Sequence, residues 1–174
     1  MVETLELLPF SRPAPTPPTP AAGTKADQLN LLKTAKQLAK EYYVLTGRPL
    51  GVTGEIAEFE AVTKLGLTFA EVRQEGFDAT EEGPDGKPVR LQIKGRCMYG
   101  PLKPGARMGA IGLTKPWDAV LLVLLNADLD AVSIHRAERD VIEQALTAPG
   151  SKSRNERGQL GIAKFRSIGR QVWP

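Results

Sequence analysis

The stretch that decides the fold is GFDATEEGPDGKPVRLQIKGR, residues 76–96. Residues 84–86 suit a type I turn followed by a left-handed glycine, which makes a three-residue hairpin loop. Gly83 and Lys87 then flank the loop as a pair. The stretch therefore predicts a β-hairpin in which the register of the two strands is fixed by the turn.

On this register, three polar side chains gather on one face of the hairpin. Asp78 lies directly opposite Gln92, and Lys94 shares the face of Gln92 because side chains alternate along a strand. Ile93 points the other way, towards a core. A tighter two-residue turn would shift the register by one and place Asp78 on the wrong face. An ordinary solvent-exposed face of mixed charge could carry the same residues. The segments before the hairpin therefore have to distinguish a functional site from such a face.

Length and composition indicate one globular domain. The chain has 174 residues, of which 41% are hydrophobic and 25% charged, and its net charge of +3 permits a nucleic-acid partner without requiring one. The single cysteine, Cys97, excludes an intrachain disulfide and a cysteine metal cluster. Glu3 and Glu6 lie where a signal peptide carries positive charge, and the apolar run 119–125 is too short to cross a bilayer. We expect a cytoplasmic protein without a membrane partner.

Composition divides the chain into three parts. Clustered prolines in residues 1–24 predict a disordered tail, within which the apolar segment 5–10 could instead dock on a partner or a second copy. Residues 25–150 are predicted to form the domain. Residues 151–174 are basic and are interleaved with apolar residues, which predicts a segment that packs on the domain.

Helical spacing of apolar residues predicts a first helix from about Ala26 to Leu45. The apolar stripe of this helix comprises Leu31, Ala35, Leu38, Tyr42 and Leu45. Gly47 and Pro49 end it. We interpret it as a packing helix without chemistry of its own.

A second helix is predicted from a cap at Thr53 to about Leu65, and it carries acids on its apolar side. Glu55 and Glu58 fall on the apolar stripe, whereas Glu60 is predicted to point away. Acids on a buried face are costly unless they are partnered. The helix dipole explains Glu55 in the first turn, whereas Glu58 faces either a polar site or solvent. The stripe comprises Ile56, Phe59, Val62 and Leu65.

The remaining chain reads as strands, a long loop and a helix. Glycine and proline in 97–115 predict a loop, and loops of this length are often functional. The continuous apolar run 118–126 predicts a strand buried on both faces. His135 is interpreted as structural or incidental. The other predicted elements are strands around 69–72 and over 131–135 and a helix over about 138–146.

The order of these features resembles the PD-(D/E)XK nuclease superfamily, which has the restriction-endonuclease-like fold. Residues 54–58, Gly-Glu-Ile-Ala-Glu, are similar to the Gly-x-x-x-Glu on the first core helix of archaeal Holliday-junction resolvases. Residues 76–78, Gly-Phe-Asp, with residues 91–94, Leu-Gln-Ile-Lys, resemble the Asp and Gln-x-Lys of Mrr-type restriction endonucleases. The chain departs at Gln92, where most members carry an acid, and at Phe77, where many have proline. The resemblance implies an α/β fold with a central mixed sheet of about four to five strands flanked by helices.

The resemblance also implies a metal-dependent endonuclease. The expected cofactor is Mg²⁺, with Mn²⁺ as a substitute, held by Asp78, Gln92 and the backbone oxygen of Ile93. Glu58, or alternatively Glu55, would bind a second metal or hold a water molecule. The implied catalytic residues are Lys94, Asp78 and Glu58.

DNA, duplex or branched, is the partner that the resemblance implies, and a homodimer is compatible with the tail. Basic side chains in the long loop and in the C-terminal segment are the candidates for phosphate contacts. They are Arg96, Lys103, Arg107, Lys152, Arg154, Arg157, Lys164 and Arg166. Two other interpretations stay open: a nucleic-acid-binding module without catalysis on the same fold, favoured by Gln92 and the basic segment, and a structural or interaction protein.

Overall fold

The computed structural model describes residues 24–71 and 74–174, which form an α/β fold built on one mixed sheet. The predicted tail, including the apolar segment 5–10, lies almost wholly outside the described residues. The helices are α1 (Lys25–Thr46), α2 (Thr53–Leu65), α3 (Arg139–Thr147), α4 (Lys152–Asn155) and α5 (Ile162–Ile168). The strands are β1 (Thr68–Phe69), β2 (Ala79–Glu82), β3 (Pro88–Cys97), β4 (Ala119–Leu125), β5 (Ala131–Glu138) and β6 (Arg170–Trp173).

The six strands follow one another in the order β1 to β6, and β3–β4 is the one parallel pair among them. A parallel pair needs a crossover connection, and the predicted long loop, here residues 98–118, supplies it. The α/β class and the mixed sheet are confirmed. The sheet is wider than predicted because the C-terminal strand β6 pairs with β5 and adds an edge.

The hairpin register is confirmed. Ala79 pairs with Leu91 and Glu82 with Pro88, so on this register Asp78, one residue beyond the end of the ladder, falls opposite Gln92. The loop closes through a hydrogen bond of 2.8 Å from the Gly83 N–H to the Lys87 carbonyl. Gly86 has φ +75°, the left-handed conformation that the turn requires.

Strand β4 is buried on both faces, as its continuous apolar run predicts. Its odd-numbered residues pack with α2 and with Leu91 and Ile93 of β3. Its even-numbered residues pack with Trp117, α3 and α5. The sheet thus separates two hydrophobic cores, and β4 contributes to both of them.

Helix α1 has the predicted bounds to within one residue, but its predicted stripe is not its buried face. Leu31, Leu38 and Leu45 are 71%, 56% and 86% exposed. Ala39 is buried and Leu32 packs against the core instead. The helix therefore contacts the domain through few residues, and its exposed leucines make the wrong face look like the buried one in the sequence.

Two predictions about α2 are wrong. Val52 is the N-cap residue and makes no side-chain cap, so Thr53 is the first helical residue and not the cap. Glu60 does not point away: it is 8% exposed, because Lys36 and the backbone of Ala131 partner it inside the fold.

Two strands differ in length from the prediction: β1 is shorter and β5 longer. His135 is buried, with its Nε2 3.2 Å from Ser133 Oγ. In residues 24–71 and 74–174, we find no helix with the length and apolarity needed to cross a membrane.

Candidate metal centre

The candidate site lies where β2 and β3 separate. The ladder between them ends at Ala79 and Leu91, and the Asp78 N–H adds one last hydrogen bond of 2.9 Å to the Leu91 carbonyl. Beyond this point the Asp78 side chain takes the place of a backbone acceptor from β2: its Oδ2 accepts a hydrogen bond of 2.6 Å from the Ile93 N–H. The carboxylate is therefore fixed against the edge of β3.

Gln92 brings a buried amide to the same place. The side chain is 8% exposed, and its Nε2 donates a hydrogen bond of 3.3 Å to the Gly76 carbonyl. Among the described residues, its Oε1 is buried without a hydrogen-bond partner. An orphaned buried acceptor costs about 1–3 kcal/mol. Such an atom is a ready ligand for a cation, which would recover that cost.

Glu58 of α2, on the neighbouring helix, is half-buried and lines a groove with Glu55, Phe59 and Phe69. Burial, assisted by the nearby carboxylates of Asp78 and Glu55, raises the pKa of Glu58 to about 7, against the opposing charge of Lys94. These electrostatic effects weaken with distance, so the structure brings Glu58, Asp78 and Lys94 into one region. Within the described chain, neither Glu58 nor Asp78 makes a salt bridge.

A glycine makes this approach of helix and strand possible. A Cβ at Gly95 would lie 2.6 Å from the Ala57 Cβ and 2.8 Å from the Thr53 carbonyl oxygen. Any larger residue would push α2 away from β3. Gly95 follows Lys94 directly and Ala57 precedes Glu58, so this contact sets the distance between the lysine and the acid.

The long loop covers Lys94 from the other side. A Cβ at Gly109 would lie 3.6 Å from the lysine Cδ, so the loop backbone runs beside the aliphatic stem. The loop is fixed at its end, because the indole of Trp117 donates to the Gly112 carbonyl at 2.7 Å. Arg139 stacks over the Trp117 ring at 4.5 Å and donates to its carbonyl at 2.8 Å. The lysine is therefore half-buried between a strand and a fixed loop.

The structure does not gather all of the predicted ligands. Glu55 is exposed at the start of α2. Among the described residues, no three histidine, cysteine or acidic side chains converge to hold a metal. A cation here would therefore depend on Asp78 and Glu58 together with the Gln92 amide oxygen, and the Ile93 carbonyl stays a predicted ligand.

Seven of the eight predicted phosphate-binding residues are exposed: Arg96, Lys103, Arg107, Lys152, Arg157, Lys164 and Arg166. Two of them also have partners within the fold. The Arg107 Nη1 donates to the Gln159 carbonyl at 3.4 Å, and the Lys152 Nζ lies 3.8 Å from a carboxylate oxygen of Glu156. Arg154 is half-buried, and its Nη2 donates to the Pro149 carbonyl at 2.7 Å. The exposed residues are therefore better placed than Arg154 to contact phosphates.

The sequence did not indicate Tyr43, which stacks on Tyr99 of the loop with ring centroids 4.1 Å apart. Tyr43 is in α1, and the helical pattern instead places its neighbour Tyr42, which is exposed, on the apolar stripe. The pairing depends on how α1 crosses the end of β3.

Chemically, this end of β3 holds Asp78, Lys94 and a buried amide oxygen of Gln92 that has no hydrogen-bond partner among the described residues, and the charge of Glu58 interacts with Asp78 and Lys94. Hard oxygen donors of this kind suit a divalent cation, and a neighbouring lysine suits an anionic substrate. No protein-family model and no curated protein matches the chain, so the interpretation of the site depends on its geometry.

Proposed function

We propose that this protein is a cytoplasmic, Mg²⁺-dependent endonuclease that hydrolyses phosphodiester bonds in DNA, on a restriction-endonuclease-like core. The observation that supports the proposal is the buried Oε1 of Gln92, which has no hydrogen-bond partner among the described residues, next in β3 to the Ile93 N–H that fixes the carboxylate of Asp78. The donor set fits Mg²⁺, because it offers carboxylate and amide oxygens and leaves positions for water and substrate. When bound, Mg²⁺ would supply charge stabilisation and a more acidic water molecule.

Asp78 would hold the cation at the edge of β3. Its Oδ2 already accepts the Ile93 N–H at 2.6 Å, which orients the carboxylate. Gln92 would add a neutral oxygen from its Oε1, and its Nε2 is held by Gly76. Because an amide replaces the acid that most of the resembled nucleases carry, we expect weaker cation binding than a second carboxylate would give.

Glu58 would accept a proton from the attacking water, and Lys94 would stabilise negative charge on the phosphate. Burial, with Asp78 and Glu55, raises the pKa of Glu58 to about 7, so its carboxylate can accept a proton from an attacking water near neutral pH. The water oxygen would form a bond to phosphorus while a P–O bond to the sugar breaks, and the leaving oxygen would take a proton from solvent. The Lys94 Nζ would donate hydrogen bonds to a phosphoryl oxygen and offset its negative charge.

Cleavage of supercoiled plasmid in Mg²⁺ or Mn²⁺ tests the proposal. Asp78→Asn keeps an acceptor for the Ile93 N–H, and Lys94→Met keeps the aliphatic stem. We expect each to lower the cleavage rate by at least about a hundredfold. Glu82→Gln and Lys87→Ala, exposed positions of the same hairpin, are the matched controls and should cleave normally. Cleavage that survives both site substitutions would refute the proposal.

A nucleic-acid-binding module without catalysis is the second candidate. The amide at Gln92 and the lack of three converging acids among the described residues favour it. It predicts DNA binding that weakens steeply with salt and no cleavage with either metal. Metal-dependent cleavage that is lost in Asp78→Asn would exclude it.

A further inference from the structure

A groove with a volume of about 690 Å³ lies at the carboxyl end of β3, beyond the candidate site. Tyr43 of α1, Arg96 of β3, and Tyr99 and Lys103 of the long loop contribute its aromatic and charged side chains. No acidic residue lines the groove as described, so its charge is positive.

The two tyrosines form an aromatic platform in this groove. Their rings stack with centroids 4.1 Å apart and planes 9° from parallel. Tyr99 is 42% exposed, and because Tyr43 covers one face of its ring, a base would stack on the opposite face. A nucleic-acid base that stacks on an aromatic side chain contributes about 1–3 kcal/mol, whatever its identity.

The groove and the candidate site lie along the same strand. Arg96 lies two residues beyond Lys94 on the same side of β3, which is about 7 Å at the rise of a strand. The loop that carries Tyr99 and Lys103 also runs past the Lys94 stem at Gly109. A chain of phosphates that passes Lys94 would therefore reach Arg96 next.

We propose that this groove binds unpaired nucleotides next to the scissile phosphate, so that the substrate is DNA with a single-stranded segment, such as an overhang. The inference rests on the proposed nuclease function, and it adds the class of substrate. Bases in a duplex are stacked on each other and cannot lie on Tyr99, whereas unpaired bases can. Arg96 and Lys103 would hold the phosphates of the same strand.

Fluorescence anisotropy in EDTA tests the inference without cleavage. The probes are a labelled blunt duplex and the same duplex with a single-stranded overhang, and both are titrated with the full chain. We expect about tenfold tighter binding of the overhang probe. Tyr99→Ala should remove this preference, Tyr99→Phe should retain it, and Tyr42→Ala, the exposed neighbour of Tyr43 outside the groove, should leave it unchanged.

A second variant guards against a folding defect in Tyr99→Ala. Replacing the exposed Arg96 and Lys103 together by glutamine should lower the slope of log K against log salt by about 1.4 for the overhang probe. Equal affinity for both probes would overturn the inference, as would a loss in Tyr42→Ala as large as that in Tyr99→Ala, or an unchanged salt slope.

The plasmid assay separates the two proposals. If the wild type cleaves plasmid and Asp78→Asn does not, but the overhang gives no tighter binding, the groove inference alone fails. If no DNA is cleaved in either metal, the nuclease proposal itself fails, whatever the anisotropy shows.

Discussion

Glu58 and Glu60 lie on the same helix and meet opposite environments. Glu60 is buried and satisfied: its Oε1 accepts from the Lys36 Nζ at 2.7 Å and its Oε2 from the Ala131 N–H at 3.3 Å. Glu58 makes no salt bridge in the part of the chain described, and burial, with Asp78 and Glu55, raises its pKa to about 7. One acid contributes to the fold, whereas the other is kept at a cost that a bound cation would offset.

The first test of this comparison is the isosteric substitution of each acid, with the free energy of unfolding as the measured quantity. Glu60→Gln removes the charge that partners Lys36, so we expect a loss of about 2 kcal/mol in the free energy of unfolding. Glu58→Gln removes a half-buried charge that makes no salt bridge among the described residues, so at pH 8 it should raise stability. Urea denaturation of both variants measures the difference. Equal losses in the two variants would contradict the assignment of separate roles.

The Gln92→Glu substitution sharpens the comparison by adding a third acid to the proposed cation ligands Asp78 and Glu58. We expect about tenfold tighter Mn²⁺ binding, because a carboxylate replaces an amide oxygen in the donor set. The variant should also be less stable than the wild type without metal, since it loses the Nε2 bond to Gly76 and places a charge at a buried position. Unfolding followed with and without Mn²⁺ measures both effects. Stabilisation by Mn²⁺ no greater than in the wild type would argue against Gln92 as a ligand.

A pH dependence gives the third test of the comparison. Because the pKa of Glu58 is raised from 4.5 to about 7 in the folded protein, the folded state holds this proton more tightly than the unfolded chain. The contribution of Glu58 to stability is therefore present at low pH and is lost as pH rises from about 4.5 to about 7. The advantage of Glu58→Gln over the wild type should grow across this range and then level off. Thermal melts at pH 5, 6, 7 and 8 check it, and a constant difference would contradict the raised pKa.

The hairpin and β4 could be predicted because local rules decide them. The turn at residues 84–86 fixes the register of two adjacent strands, and this register brings Asp78 opposite Gln92. An apolar run without helical period leaves few alternatives to a buried strand, as residues 119–125 show. In both cases the deciding residues are neighbours in the chain.

The partners of Glu60 and Tyr43 could not be predicted, because both depend on how α1 packs. A helical period shows which side of a helix is apolar, but α1 turns Ala39 and Lys36 inward and leaves Leu31 outside. Ion pairs from α1 to α2 and to the turn before β5, which are distant in sequence, hold the helix in this position. The same limit explains why Glu60 was assigned to the surface.

The central claim is that Asp78, Gln92 and Glu58 form a divalent cation site. Calorimetric titration of the wild type and Asp78→Asn with Mn²⁺ at pH 8 tests it most directly, with Glu82→Gln as the control. We expect saturable binding to the wild type and the control that is lost in Asp78→Asn. Binding that is unchanged in Asp78→Asn, or absent from the wild type, would contradict the claim.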